Sequence, residues 1–326
     1  MKIAILASGG NSPGMNSAII TLVKTAKVHK IDVLLINDGF KGLLEDKFIL
    51  ADIRYLEQFN SRGNVVIGAA RSPEFMQDIY KKKAVAILKR RKVDVLIVIG
   101  GDGSYSGAAS LTRYGVKVMA LPGTIDNDVA STDSTIGFYT CLNTVVTAID
   151  AIRDSFDSHS AICFVEIMGR GFSDLAIQAG VATEAEAIVT RDNILKADDF
   201  IKIANETFKR GKRSCIFAIT EKIYGTNGIP PLDEIAEIVG QKTKRTTRVN
   251  VIGHIQRGGT VSAIDRFWAS TMASHCIDCI ASHRFNRAVG EVRRQIVDID
   301  IHEAVQLPRK RNNVRLARLY EKINRI

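Results

Sequence analysis

Short apolar runs alternate with amphipathic stretches along most of this chain. The runs Ile3–Ala7, Val33–Asn37, Val95–Ile99, Lys117–Leu121, Ile162–Glu166, Ser214–Thr220 and Asn250–Gly253 read as strands. Met15–Lys27, Pro73–Arg91 and Tyr139–Phe156 read as helices between them. The last puts Leu142, Val145, Val146, Ile149, Ile152 and Phe156 on one stripe with a helical period. Strand–helix–strand alternation predicts an α/β fold with a parallel, doubly wound sheet. Such sheets bind ligands outside the carboxyl ends of their strands. No short repeat or low-complexity linker interrupts the pattern, and Gly225–Pro231 reads as an exposed loop.

Several predicted strands close in glycines and carboxylates. Gly9-Gly10-Asn11-Ser12-Pro13-Gly14 joins the first strand to the first helix, and a helix N-terminus entered through glycines offers bare N–H groups to a phosphate. By itself the segment fits a tight turn equally well, and it is neither a Walker loop nor a Rossmann fingerprint. Gly100-Gly101-Asp102-Gly103-Ser104 is more specific. A carboxylate among glycines can hold hydrated Mg²⁺ beside a polyphosphate, or simply cap the next helix. Gly123-Thr124-Ile125-Asp126-Asn127-Asp128 sets two carboxylates two residues apart. In an extended chain both point to one side, and like charges so close raise one pKa, which suits a base acting on an alcohol. Later strand ends carry Met168-Gly169-Arg170, Thr220-Glu221 and Gly253-His254-Ile255-Gln256-Arg257, with Arg248 nearby. His254 and Arg257, three apart beside glycines, can clamp a dianion.

Composition narrows the classes further. A length of 326 residues fits one large or two ordinary domains, and 46% hydrophobic with 25% charged residues is ordinary for a globular protein. No 18-residue apolar run or signal-peptide core is present, so no membrane segment is expected. Five scattered cysteines suggest reduced thiols in a cytoplasm. Cys276 and Cys279 form a lone C-x-x-C flanked by His275 and His283; without a second pair, a helix with buried thiols is the expectation rather than zinc. The formal charge of +10 concentrates in Lys81–Lys92 and in the tail Arg309–Arg325. Ala84, Ile87 and Leu88 give the first an inward face, and Val314, Leu316, Leu319 and Ile323 are spread among the charges of the second. Aromatics are not interleaved with arginines as stacking platforms, so nucleic-acid binding is not expected.

The ordered set GGNSPGMN, RSPEF, IGGDGS, PGTIDND, MGR, ITE and GHIQRGG resembles the bacterial ATP-dependent 6-phosphofructokinase family from residue 1 to about 305. That resemblance implies two doubly wound parallel-sheet domains in a cytoplasmic homotetramer, with the active site in the cleft between the domains. It implies an ATP-binding domain of 1–137 plus about 256–306, and a fructose 6-phosphate domain of 138–255 plus about 307–326. Asp126 matches the base, and Asp102 matches the ligand of Mg²⁺. Gly10, Arg71, Ser72, Gly101, Gly103 and Ser104 match positions lining ATP. Thr124 and Arg170 match groups that stabilise the transferring phosphoryl, and Asp128 matches a second carboxylate. Ile125, Met168, Gly169, Glu221, His254, Ile255, Gln256 and Arg257 match substrate positions, as does Arg248, which the family can contribute across a subunit interface. Gly103 and Gly123 stand where pyrophosphate-dependent relatives carry Asp and Lys, which favours ATP as donor.

Three departures stand out. The family's Ser-His-x-Arg reads Ser158-His159-Ser160-Ala161, without the arginine that crosses to the substrate phosphate. Losing one charged hydrogen bond removes roughly 1.5–3 kcal/mol, so weak sugar-phosphate binding is expected. Met76 replaces a basic residue near the nucleotide. Two effector-site arginines read Ile20 and Lys24, while Arg153, Glu186, Arg210 and Lys212 match surviving effector positions, so allosteric control is expected to be weak. The competing expectations are a pyrophosphate-dependent enzyme, a kinase for a related sugar phosphate, or a catalytically weakened binding protein.

Overall fold

A computed structural model describes residues 1–308, 310 and 312–324. The ends of the basic tail, Arg309 and Arg325, lie outside the described residues. The chain divides into two compact units, the first formed by Met1–Thr140 with Arg257–Lys310 and the second by Cys141–Gln256 with Arg311–Ile326.

The strands are β1 (Lys2–Ala7), β2 (Asp32–Ile36), β3 (Phe48–Leu50), β4 (Val95–Gly100), β5 (Lys117–Pro122), β6 (Ile162–Ile167), β7 (Ala187–Val189), β8 (Cys215–Thr220), β9 (Thr247–Val251), β10 (Arg287–Val292) and β11 (Gln295–Asp300). In the first unit they form one sheet in the order β11-β10-β5-β4-β1-β2-β3. Its centre is parallel, as the alternation predicts, while β3 and β11 add antiparallel edges. The second unit holds a parallel sheet in the order β7-β8-β6-β9.

Period-two alternation explains why the central strands read as unbroken apolar runs. Ile3, Ile5, Ile97 and Ile99 join one core, under the helices Met15–Val28 and Ala263–Ala281. Ala4, Leu6, Leu96 and Val98 join the other, under Asp78–Arg90 and Asp102–Thr112. A strand covered on both faces has no polar side to show.

Four strands escaped the sequence pattern. β3 and β7 are three residues long, and charged residues break up β10 and β11, whose turn at Arg293-Arg294 lacks the Asn-Gly signal of a hairpin. The predicted helix Pro73–Arg91 is two elements: a 3₁₀ turn over Pro73–Met76, then an α-helix from Asp78, with Gln77 extended between them. In the tail helix Val314–Ile323 the buried residues are Ala317 and Glu321, whereas Leu319 and Ile323 are half exposed. Glu321 faces inward because its carboxylate accepts the N–H of Ile188 at 3.0 Å on β7.

Candidate active site

In the first unit, three strand ends and one loop meet at the carboxyl edge. Ser8, just past β1, bridges to Ala70, which brings Arg71 and Ser72 alongside Gly9-Gly10. Ser104 Oγ donates to the Ser8 carbonyl at 3.2 Å, tying the β4 loop to the β1 loop. A Cβ on Gly100 would fall 2.6 Å from that same carbonyl, so the two loops approach closely only because Gly100 is glycine. Gly123 N–H donates to the Gly100 carbonyl at 3.0 Å, drawing the β5 loop to the β4 loop. Gly10, Arg71, Ser72, Gly101–Ser104 and Thr124 therefore share one edge.

Asp102 opens the helix Asp102–Thr112 with its carboxylate exposed, and open space surrounds the α-carbon of Gly103 beside it. Gly123 differs. A Cβ there would lie 2.7 Å from Met15 Cε and 2.9 Å from Ile99 Cγ2, so its glycine answers to core packing. Of the two glycines that argued for ATP, only Gly103 borders free space.

The Thr124–Asp128 loop is not extended. Asn127 has φ of +52°, and its Oδ1 accepts the Thr135 N–H at 3.1 Å. That left-handed turn separates the environments of the two carboxylates: Asp126 is 4% exposed, Asp128 half-buried. Asp126 N–H donates to Thr124 Oγ1 at 3.1 Å, and Thr135 Oγ1 donates to the Thr124 carbonyl at 2.6 Å, so Thr124 and Asp126 are tied into one turn. The Ile125 side chain is fully buried.

Arg257 also belongs to this unit. Its NH1 donates to the Asn11 carbonyl at 2.9 Å, while Asn11 Nδ2 donates back to the Arg257 carbonyl at 2.9 Å. A Cβ on Gly10 would lie 2.7 Å from Arg257 NH1, so a larger residue at Gly10 would dislodge the guanidinium.

In the second unit the carboxyl edge gathers Met168, Gly169, Arg170, Glu221 and His254. Glu221 Oε1 accepts the N–H groups of Gly169 and Arg170 at 3.3 and 2.9 Å, folding the turn in which Arg170 has φ of +51°. Arg170 and His254 are exposed. Burial, then the Glu221 and Asp233 carboxylates, raises the pKa of Glu166. Gln256 is fully buried, and its Oε1 accepts the Met168 N–H at 3.2 Å, which braces the turn. Ile255 is 61% exposed. Arg248 is the second residue of β9, at the opposite end of the sheet from the other residues, with NH1 donating to the Thr247 carbonyl.

The positions that the resemblance assigns to an effector site make contacts within their own units. Lys24 pairs with Glu57 at 2.5 Å, and Ile20 is buried in the core. Glu186, fully buried, meets Lys212 at 2.8 Å and Arg153 at 3.6 Å and also accepts the Ile216 N–H. Arg210 Nε donates to Glu206 on its own helix.

The C-x-x-C thiols are buried on the helix Ala263–Ala281, as expected, and Cys276 Sγ takes no part in the cluster beside them. His275 Nε2, Cys279 Sγ and Asp298 lie within 4.8 Å of one another, but Asp298 is already bound by Arg284 at 2.8 Å and Arg287 at 2.6 Å. Two guanidiniums on the shared carboxylate make this an ion-pair cluster rather than a metal seat.

The phosphofructokinase family profile matches residues 2–280. The chain belongs to the phosphofructokinase family. Two relatives named ATP-dependent 6-phosphofructokinase support this: that of Aliivibrio salmonicida is 40% identical over 322 residues, covering 99% of both chains, and that of Serratia proteamaculans is 44% identical over 305, covering 94% of this chain and 93% of its own. Saccharomyces cerevisiae phosphofructokinase superposes with a TM-score of 0.84 at 28% identity; 94% of this chain is covered, but only 45% of the yeast chain. A pyrophosphate-dependent phosphofructokinase from Marinobacter aquaeolei superposes at 0.83 with 18% identity over 97% of this chain and 86% of its own, a likeness of fold alone. Among the described residues no helix is long and apolar enough to cross a membrane.

Lys310 and Asp265 belong to none of the strand-end motifs. Lys310 Nζ reaches Asn127 Oδ1 at 3.3 Å and the Asp133 carbonyl at 3.2 Å, joining the tail to the Asp126 loop. Asp265, fully buried, accepts the N–H groups of Gly137 and Thr140 at 2.9 and 2.6 Å. Burial raises its pKa, and the hydrogen bonds from Thr140, Gly137 and Ser262 oppose that rise.

Proposed function

We infer that this chain is an ATP-dependent 6-phosphofructokinase, converting ATP and fructose 6-phosphate to ADP and fructose 1,6-bisphosphate as a cytoplasmic homotetramer. The observation that carries the reading is the carboxyl edge of the first unit. There a buried aspartate coupled to Thr124 shares an edge with an open glycine loop that starts at Asp102.

The first unit binds ATP through Gly10, Arg71, Ser72, Gly101, Gly103 and Ser104. The second recognises the sugar through Met168, Gly169, Arg170, Glu221 and His254, with Arg257 and a neighbouring subunit's Arg248 on the 6-phosphate. Asp126 takes the proton of the 1-hydroxyl as that oxygen forms its bond to the γ-phosphorus. The bond from the γ-phosphorus to the bridging oxygen breaks, and ADP leaves with that electron pair. Thr124 and Arg170 donate to the transferring phosphoryl oxygens, whose charge such reactions must spread.

The donor set at Asp102 fits Mg²⁺: an exposed carboxylate at a helix start, with room beside Gly103 for water and phosphate oxygens. Bound there with ATP, the ion would neutralise phosphate charge. Ala161, 3% exposed, supplies no cation, so sugar-phosphate binding is weak, and the engaged effector residues leave allosteric control weak.

A coupled assay comparing ATP and pyrophosphate as donors to fructose 6-phosphate tests the reading. ATP supports turnover and pyrophosphate does not; the reverse preference would replace this reading with the pyrophosphate-dependent one.

A further inference from the structure

The hairpin between β10 and β11 turns at Arg293 and Arg294, with φ of +52° and +64°. A left-handed pair at a two-residue turn suits Asn-Gly, whereas two arginines pay conformational strain. Carboxylates hold it in place. Asp133 Oδ2 accepts the Arg293 N–H at 2.8 Å, and Glu291, 3% exposed, accepts the Arg294 N–H. Both acids thus bond to backbone amides, and neither guanidinium forms an ion pair among the described residues.

Arg293 and Arg294 line an open cavity of about 600 Å³ together with Tyr139, Phe267, Trp268 and the two carboxylates that hold the turn, Asp133 and Glu291. Phe267 is 56% exposed and meets Trp268 edge to face, ring centroids 4.9 Å apart. No residue of the Gly10, Gly101–Ser104 or Asp126 loops lines this cavity.

We propose that this cavity is a second, non-catalytic binding site for a nucleoside 5′-phosphate. The base lies against the aromatic side chains and the phosphate meets the two guanidiniums. Flat aromatic faces recognise a base of any identity, and an arginine fork recognises phosphate oxygens. A bare anion would have no use for the exposed phenyl ring, and a neutral hydrophobe none for paired cations kept at the expense of strain. The volume lies within the usual range for small-molecule sites.

Trp268 is the only tryptophan of the chain, so its fluorescence reports this cavity directly. ADP titrated into the full-length protein is expected to change that fluorescence saturably. Adenosine alone and pyrophosphate alone are each expected to bind much more weakly than ADP. The double variant Arg293→Asn/Arg294→Gly installs the residues the turn prefers, so its melting temperature should hold or rise. It should weaken the ADP signal by at least about tenfold, the loss of one charged hydrogen bond or more, with the KM for ATP unchanged. Equal ADP affinity in the double variant would overturn the site, as would the absence of any saturable signal. A signal that pyrophosphate reproduces at equal concentration would overturn the nucleoside part. One that follows protein concentration instead of ADP would identify a contact between copies and overturn the proposal.

Discussion

The Lys24 ammonium sits 2.5 Å from the Glu57 carboxylate, so the cation that survives on the first helix is already neutralised within its own unit. In the second unit Glu186 is likewise closed off between Lys212 and Arg153. An effector phosphate would have to compete with these pairs, and at the first helix it would meet lysine, which lacks the arginine fork. Rates measured at subsaturating fructose 6-phosphate should change by less than about twofold on adding phosphoenolpyruvate or ADP, far below the usual 5–150-fold span of allosteric coupling. A strongly sigmoidal response would contradict this.

Gly103 and Gly123 should separate in their effects. Gly103→Asp meets no neighbour, so the variant should fold with an unchanged melting temperature. Its carboxylate would repel ATP phosphates beside Asp102, and kcat/KM for ATP should fall by about tenfold or more. Gly123→Lys drives a side chain into Met15 and Ile99 and should destabilise the fold by about 1–3 kcal/mol, as overpacking does. Thermal melts with donor kinetics on both variants check the pair.

The strand-end chemistry was legible because glycine and aspartate end apolar runs abruptly, and the parallel fold because both faces of its strands are covered. The geometry within the loops was not legible. Asn127 is a residue type that tolerates a left-handed turn, but its identity does not announce that the turn gives Asp126 and Asp128 different surroundings. Gln256 and Ile125 sit in motif positions yet point inward, since each motif must also anchor itself to the fold. Asp265 accepts from Gly137 and Thr140, more than 120 residues away, a separation no window along the chain can see.

Asp298 should set part of the acid stability. Burial pushes its pKa up, but hydrogen bonds from His275, Arg287 and Arg284 outweigh this and hold it well below the usual carboxylate range. A depressed folded-state pKa contributes stability that is present above the unfolded value and lost as pH falls toward the folded one. The melting temperature should therefore decline below about pH 4, the range in which unfolded aspartate takes its proton. Asp298→Asn should lower it at pH 7 and flatten that acid limb; an unchanged acid limb would contradict the assignment.

Ala161 offers a gain-of-function test. Ala161→Arg should lower the KM for fructose 6-phosphate by about ten- to a hundredfold, the value of one charged hydrogen bond to the phosphate. Because Ala161 is buried, the melting temperature is measured alongside. An unchanged KM in a folded variant would show that another cation already serves the phosphate.

We propose Asp126 as the group that removes the proton in an ATP-driven phosphorylation of fructose 6-phosphate. Its most direct test is ATP-dependent formation of fructose 1,6-bisphosphate by the unaltered chain and by Asp126→Asn. The unaltered chain should form the product, and the variant should bind both substrates yet lose about 10²–10⁴-fold in kcat, the usual worth of a positioned base. A variant that keeps full kcat, or an unaltered chain that forms no product from ATP, would contradict the account.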